Sequence, residues 1–160
     1  MSNQNLFAAL RAAFPADLDA VAVETDNGLC YSWRDLDRAS AMVANLLASL
    51  PIKPDASGAP PRVAVQVEKS VEAMILYLAT LRAGFAFLPL NTAYQSAEIE
   101  YFIGNAQPAV VVCSRRNFSW VSQIAFQAGT RHVFTLDDDR SGSLLERAAH
   151  CSDQQQPVKR

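Results

Sequence analysis

The sequence predicts an α/β fold, a layered, parallel-rich sheet with flanking helices. Three observations predict it. Residues 62–136 alternate short β-branched or apolar runs with helical segments in the order β-α-β-α-β-α-β. The links between these segments are short, so each helix must cross back over the sheet in the right-handed sense that strand twist imposes. Ala109–Cys113 is apolar at every position, as a strand covered on both faces should be.

Ahead of that alternation, Leu6, Phe7, Leu10 and Phe14 recur at helical spacing and Pro15 follows, which predicts a helix over 5–14. Val21–Glu24 and Leu29–Tyr31 flank Thr25-Asp26-Asn27-Gly28. Asn-Gly tolerates positive φ at both residues, so the pair predicts a hairpin. Ser32 then stands where a helix N-cap would, with Asp35 placed near the positive helix end. Leu36, Ala39, Val43, Leu46, Leu47 and Leu50 continue an apolar stripe to Pro51. Pro51–Pro61 holds four prolines and reads as a loop. Composition does not change across it, so it marks no domain boundary.

Within the alternating region, Arg62–Val67 is the first strand. Ser70 caps a helix reaching about Ala83, and Gly84 sits at its C′ position. Phe85–Leu88 is extended. Ser96 is expected to cap a shorter helix, Ala97–Ile103, with Gly104-Asn105 beyond its end. Asn117–Ala128 forms the next helix, closed by Gly129, and His132–Leu136 is the last strand. Asp137–Gly142 is an acidic turn and Ser143–His150 a short helix. Residues 1–150 are read as one segment. Residues 151–160 are a polar tail with three consecutive glutamines, expected to fray.

The chain has 160 residues, half of them apolar and 19% charged, enough for one domain with a real core. The net charge of −2 removes the electrostatic basis for a nucleic-acid partner or an anionic membrane surface. Val71–Leu90 approaches the length of a membrane span, but Glu72, Arg82, Gly84 and Pro89 interrupt it. Cys30, Cys113 and Cys151 are far apart, and Met1–Leu10 lacks a secretory pattern. A cytoplasmic location with reduced thiols follows, with Cys113 buried.

Several chemistries find no residues to carry them. The closest pair of glycines is 13 residues apart, so no phosphate-cradling loop of either common type is present. His132 and His150 lack companions at metal-ligand spacing, and Asp137-Asp138-Asp139 reads as a solvated turn. No serine lies in a G-x-S-x-G turn. Glu68-Lys69 follows directly on a strand end, where α/β proteins place functional side chains, yet a solvent-facing charge pair explains it as well.

Two stretches carry a resemblance. Leu29-Cys30-Tyr31-Ser32-Trp33-Arg34-Asp35-Leu36 resembles the early (S/T)Y-x-E-L element of the adenylate-forming superfamily, with Trp33 for its Tyr and Asp35 for its Glu. Leu81-Arg82-Ala83-Gly84-Phe85-Ala86-Phe87-Leu88-Pro89-Leu90-Asn91 resembles its L-x-A-G-x-x-(Y/F)-x-P-(L/I)-(N/D) element. Val63–Ala73, Leu76–Thr80, Pro89–Tyr94 and Glu100–Ile103 are similar to the malonyl-CoA synthetase branch, and the likeness spans about Asn5 to Leu145.

The resemblance implies the N-terminal part of a two-step ligase. A carboxylate attacks ATP to give an acyl-adenylate and pyrophosphate, and the thiol of coenzyme A then displaces AMP. Mg²⁺ and CoA serve the full-length family, as does a small dicarboxylate substrate in this branch. The family's phosphate loop and catalytic Lys fall outside these 160 residues. The resemblance therefore assigns no catalytic and no metal-ligating residue here, and it implies that the isolated segment is inactive and partners the remainder of a synthetase. It does place the loop Asn91-Thr92-Ala93-Tyr94 near the CoA entry side, which makes Thr92 and Tyr94 cofactor-binding candidates, although Ala93 and Tyr94 offer no charge and the alternative for these residues is a purely structural loop. The alternative is a non-catalytic α/β interaction module. A receiver-like domain would need clustered strand-end acids, which Glu24, Glu68 and Asp137 do not supply.

Overall fold

A computed structural model describes residues 2–160. Helix α1 (Leu6–Ala12) opens the chain, capped by the Asn5 side chain, which accepts from the Phe7 N–H. A hairpin follows, β1 (Val21–Glu24) antiparallel to β2 (Cys30–Ser32). Its turn is closed by the Gly28 N–H on the Thr25 carbonyl and the Thr25 N–H on the Leu29 carbonyl, at 2.9 and 2.8 Å. Only Gly28 adopts positive φ (+83°); Asn27 does not. The expected hairpin forms over Thr25–Gly28, with positive φ needed only at Gly28 and not at both residues of the Asn-Gly pair.

Helix α2 (Trp33–Ser49) begins where its sequence says it should. The Ser32 hydroxyl accepts from the Asp35 N–H at 3.0 Å, and the Asp35 carboxylate accepts from the Ser32 N–H at 2.8 Å. This reciprocal pair satisfies two amides that the first helical turn leaves without partners.

Strands β3 (Arg62–Gln66), β4 (Ala86–Pro89), β5 (Val110–Cys113) and β6 (His132–Thr135) form a parallel sheet in the order β4-β3-β5-β6. Helices α3 (Val71–Arg82), α4 (Ser96–Ala106) and α5 (Phe118–Gln127) make the crossovers, and α6 (Ser143–Ala148) follows the last strand. Strand alternation divides the core. Val63, Val65, Val110, Val112 and Phe134 pack with α2, α3 and α6. Ala64, Val111 and Cys113 pack on the other face with Ile99 and Ile103 of α4 and Val121 and Ala125 of α5. The β3-to-β4 crossover therefore lies on the opposite face from the two later ones. Strand order turns back between β3 and β5, which leaves a crevice beyond their carboxyl ends.

Two expectations need correction. Helix α4 is capped one residue earlier than Ser96, because the Glu98 carboxylate reaches back to the Gln95 N–H at 2.9 Å. It also runs through Gly104 and Asn105 and stops only at Gln107, which takes φ +45° ahead of the buried Pro108.

The tail is not frayed. The Arg82 guanidinium, 6% exposed, donates through Nε to the Gln155 carbonyl at 2.9 Å and to its side-chain oxygen at 3.0 Å. The Val158 N–H donates to the Arg82 carbonyl at 3.0 Å, and Asn45 Nδ2 donates to the carbonyls of Ser152 and Gln154. Asn5 Nδ2 bridges the carbonyls of Leu81 and Val158, both at 2.8 Å. Composition pointed to fraying because these side chains are polar. The tail is instead held by its backbone, whose carbonyls meet donors supplied by α1, α2 and α3.

Candidate functional site

The carboxyl ends of β3 and β4 and the turn after β6 frame an open cleft of about 550 Å³. Its polar lining comes from Glu68, Lys69, Asn91, Thr92 and Asp138, over an apolar floor of Val67, Pro89 and Leu90. Each side chain arrives by a local rule. Glu68 and Lys69 sit in the short link before Ser70, whose hydroxyl accepts from the Ala73 N–H at 3.0 Å to start α3. Asn91 and Thr92 sit in a turn closed by the Asn91 side-chain oxygen on the Ala93 N–H at 2.8 Å. Asp138 is placed by its neighbour: Asp137 accepts from the Arg115 N–H at 3.1 Å, which ties the end of β6 to the end of β5.

The structure brings Thr92 into this cleft together with Glu68 and Lys69. It places Tyr94 elsewhere. The Tyr94 ring stacks on Phe102 of α4 at 5.2 Å and 19°, on the α4–α5 side of the sheet. Tyr94 still belongs to the loop mechanically, because its carbonyl accepts from Gln66 Nε2 at 3.3 Å. Gln66 also donates to the Asn91 carbonyl at 3.0 Å, so one amide holds both ends of the 91–94 loop. Gln66 is 2% exposed, and its Oε1 has no partner. Sequence reading passed over this residue. The signal was there: it is the one polar side chain inside the otherwise apolar run Val63–Val67.

Charge decides what the cleft can hold. Its lining offers one cation, Lys69, against the carboxylates of Glu68 and Asp138. Neither a cluster of glycine amides nor a second cation faces it, so these residues do not by themselves fit a nucleoside triphosphate, which needs several converging donors. No group of three or more His, Cys, Asp or Glu at metal-holding positions occurs among the described residues. Asp139 is held below the ordinary carboxylate range by hydrogen bonds from the Ser141 hydroxyl and N–H. Beneath the cleft, burial pushes the Cys113 thiol up to about 12, and the Asp137 charge adds to the rise, so Cys113 is a packing group and not a nucleophile. No helix among the described residues is long and apolar enough to cross a membrane.

Comparison with known proteins bears on the whole chain. Residues 10–160 match the family model described as AMP-binding enzyme, a span that takes in the tail. ATP-bound MatB from Rhodopseudomonas palustris, a malonyl-CoA synthetase, is 41% identical with a TM-score of 0.90 over 99% of this chain and 30% of its own. Tyrocidine synthase 1 from Brevibacillus parabrevis is 30% identical over 140 residues, 87% of this chain and 12% of its own length. An acyl-CoA synthetase from Brucella canis shares the fold at a TM-score of 0.73 and 24% identity, covering 91% of this chain and 27% of its own. The chain thus spans less than a third of each of these proteins.

Proposed function

Because this chain belongs to the AMP-binding enzyme family, we propose that it is the N-terminal portion of an ATP-dependent acyl-CoA ligase resembling malonyl-CoA synthetase. The observation that carries this reading is the likeness to MatB along nearly the whole chain, in sequence and in backbone. The reaction would join malonate and CoA with ATP through an acyl-adenylate, releasing AMP and pyrophosphate, in the cytoplasm and with Mg²⁺ at the phosphates. Residues 1–150 are the N-terminal segment of the AMP-binding domain and 151–160 its polar strap.

In this reading the chain is scaffold. Its partner is the remainder of the synthetase, which would bring the phosphate loop and the catalytic Lys. Thr92 presents a hydroxyl on the CoA side of the cleft, Tyr94 anchors that loop from behind, and Gln66 fixes both ends of it. The cleft's single cation supports an isolated segment without activity.

A reconstitution experiment tests this. The purified chain alone is expected to release no AMP with malonate, ATP and CoA. Co-expressed with the part of MatB that lies beyond the matched region, it is expected to co-purify as a complex and restore malonate-dependent AMP release. Failure to associate would overturn the reading. The exposed Tyr101 (66%) and Phe126 (54%), on the neighbouring helices α4 and α5, favour a second reading, a non-catalytic interaction module. Association without restored activity, lost on Phe126→Ser, would select it.

A further inference from the structure

A second crevice, of about 270 Å³, lies between α2, α3 and α6. Its walls are apolar, among them Ala39, Met42, Ile75 and Leu145. Two opposite charges stand at this apolar hollow. Glu72, in the first turn of α3, is 7% exposed and lines it. The Tyr31 hydroxyl donates to Glu72 Oε1 at 2.6 Å, and the other carboxylate oxygen has no hydrogen bond among the described residues. The ion pairs of those residues are Arg11–Asp37, Arg34–Asp19, Arg38–Asp153 and Arg82–Asp37, and none reaches Glu72. Arg140 lines the same crevice from the exposed turn after β6, where its backbone takes φ +68°.

A carboxylate and a guanidinium thus line one crevice whose remaining walls are largely aliphatic. A carboxylate at the crevice wall with one oxygen not committed to a protein donor among the described residues can accept from a charged donor. An exposed guanidinium is suited to a ligand carboxylate. The molecule that satisfies both carries an ammonium and a carboxylate on adjacent atoms and an apolar side chain. We propose that this crevice binds a small apolar α-amino acid, its ammonium on Glu72, its carboxylate on Arg140 and its side chain against Met42, Ile75 and Leu145. The site is separate from the Thr92 cleft and does not depend on the ligase reading.

Calorimetric titration of the 160-residue chain with L-leucine tests it, with isoamylamine and 4-methylpentanoate as half-ligands. Saturable one-to-one binding of L-leucine is expected, with each half-ligand at least tenfold weaker. Glu72→Gln should weaken L-leucine and isoamylamine at least tenfold. Arg140→Asn, which suits a positive φ, should weaken L-leucine as much while sparing isoamylamine. Lys69→Ala, in the other cleft, should leave the affinity for L-leucine unchanged. If Glu72→Gln does not fold, Arg140→Asn and the half-ligands decide the matter. No saturation by L-leucine, or unchanged affinity in Arg140→Asn, overturns the proposal.

Discussion

Arg82 shows how much one buried side chain can organise. Its Nη1 donates to the Asp37 carboxylate and carbonyl, both at 2.9 Å, and to the Ser40 hydroxyl at 3.1 Å, while its guanidinium lies 4.7 Å over the Phe7 ring. Burial lowers its pKa and the Asp37 carboxylate opposes that shift, so the charge is kept inside because a partner is there. Removing the partner leaves a buried cation. Asp37→Ala is therefore expected to cost about 3 kcal/mol, the low end for breaking a buried pair, read as a shift of the urea midpoint at constant slope. Cys113 gives a second prediction at this scale, with a defined sign. Burial raises its folded pKa from 9.0 to about 12, so the folded state holds its proton more tightly than the unfolded one. The stability this contributes is present below pH 9 and is lost as pH rises toward 12, with a slope of up to about 1.4 kcal/mol per pH unit. Denaturation at pH 8 to 11 should show that alkaline loss, and Cys113→Ala should flatten it. At neutral pH the exposed Cys30 is expected to react with a thiol reagent well before the buried Cys113.

Elements here begin and end on particular contacts. The start of α2 was legible because Ser32 and Asp35 have the spacing of a capping box, and Ser32→Ala should cost about 1 kcal/mol of stability by thermal unfolding. The end of α3 was legible for another reason. Gly84 takes φ +78°, where an L side chain is strained, and an added Cβ would lie 3.0 Å from the Val158 Cγ1 and the Arg160 guanidinium. Gly84→Ala should therefore destabilise by about 1–2 kcal/mol from backbone strain, with a further part from displacing the strap. In a chain ending at Cys151 that second part should vanish, so the two changes should not add. The bounds of α4 were not legible. Ser96 is a good capping residue, but Glu98 reaches Gln95, and only Gln107 has the left-handed conformation that stops the helix.

At the scale of the molecule, the two ends of the chain meet on α3. The Gln4 N–H donates to the Arg160 carbonyl at 2.8 Å, and Asn5 bridges α3 to the strap. Deleting residues 152–160 would strip Arg82 of its Gln155 partners and Asn5 of its Val158 partner. With two to three buried polar groups left short, a loss of about 2–4 kcal/mol is expected, measured by urea unfolding of the truncated and complete chains. An unchanged midpoint would mean that the strap is an ornament on a core that stands without it.

By itself the sequence determined the local and the periodic. It placed the alternating strands and helices, the hairpin and the caps at Ser32 and Ser70, because side-chain period, glycine φ and cap spacing act over only a few residues. It also ruled out a phosphate loop within the chain, since clustered glycines cannot be supplied from afar. Only the tertiary structure decided which distant groups meet. It put Thr92 in the cleft with Lys69 and Asp138 while turning Tyr94 onto Phe102, and it made Gln66 the brace of the 91–94 loop. It also brought Glu72 and Arg140 to one crevice and bound the polar tail through its backbone. Those outcomes depend on the crossover of strand order between β3 and β5 and on unsatisfied donors finding acceptors across the fold, neither of which is written in any local stretch of residues.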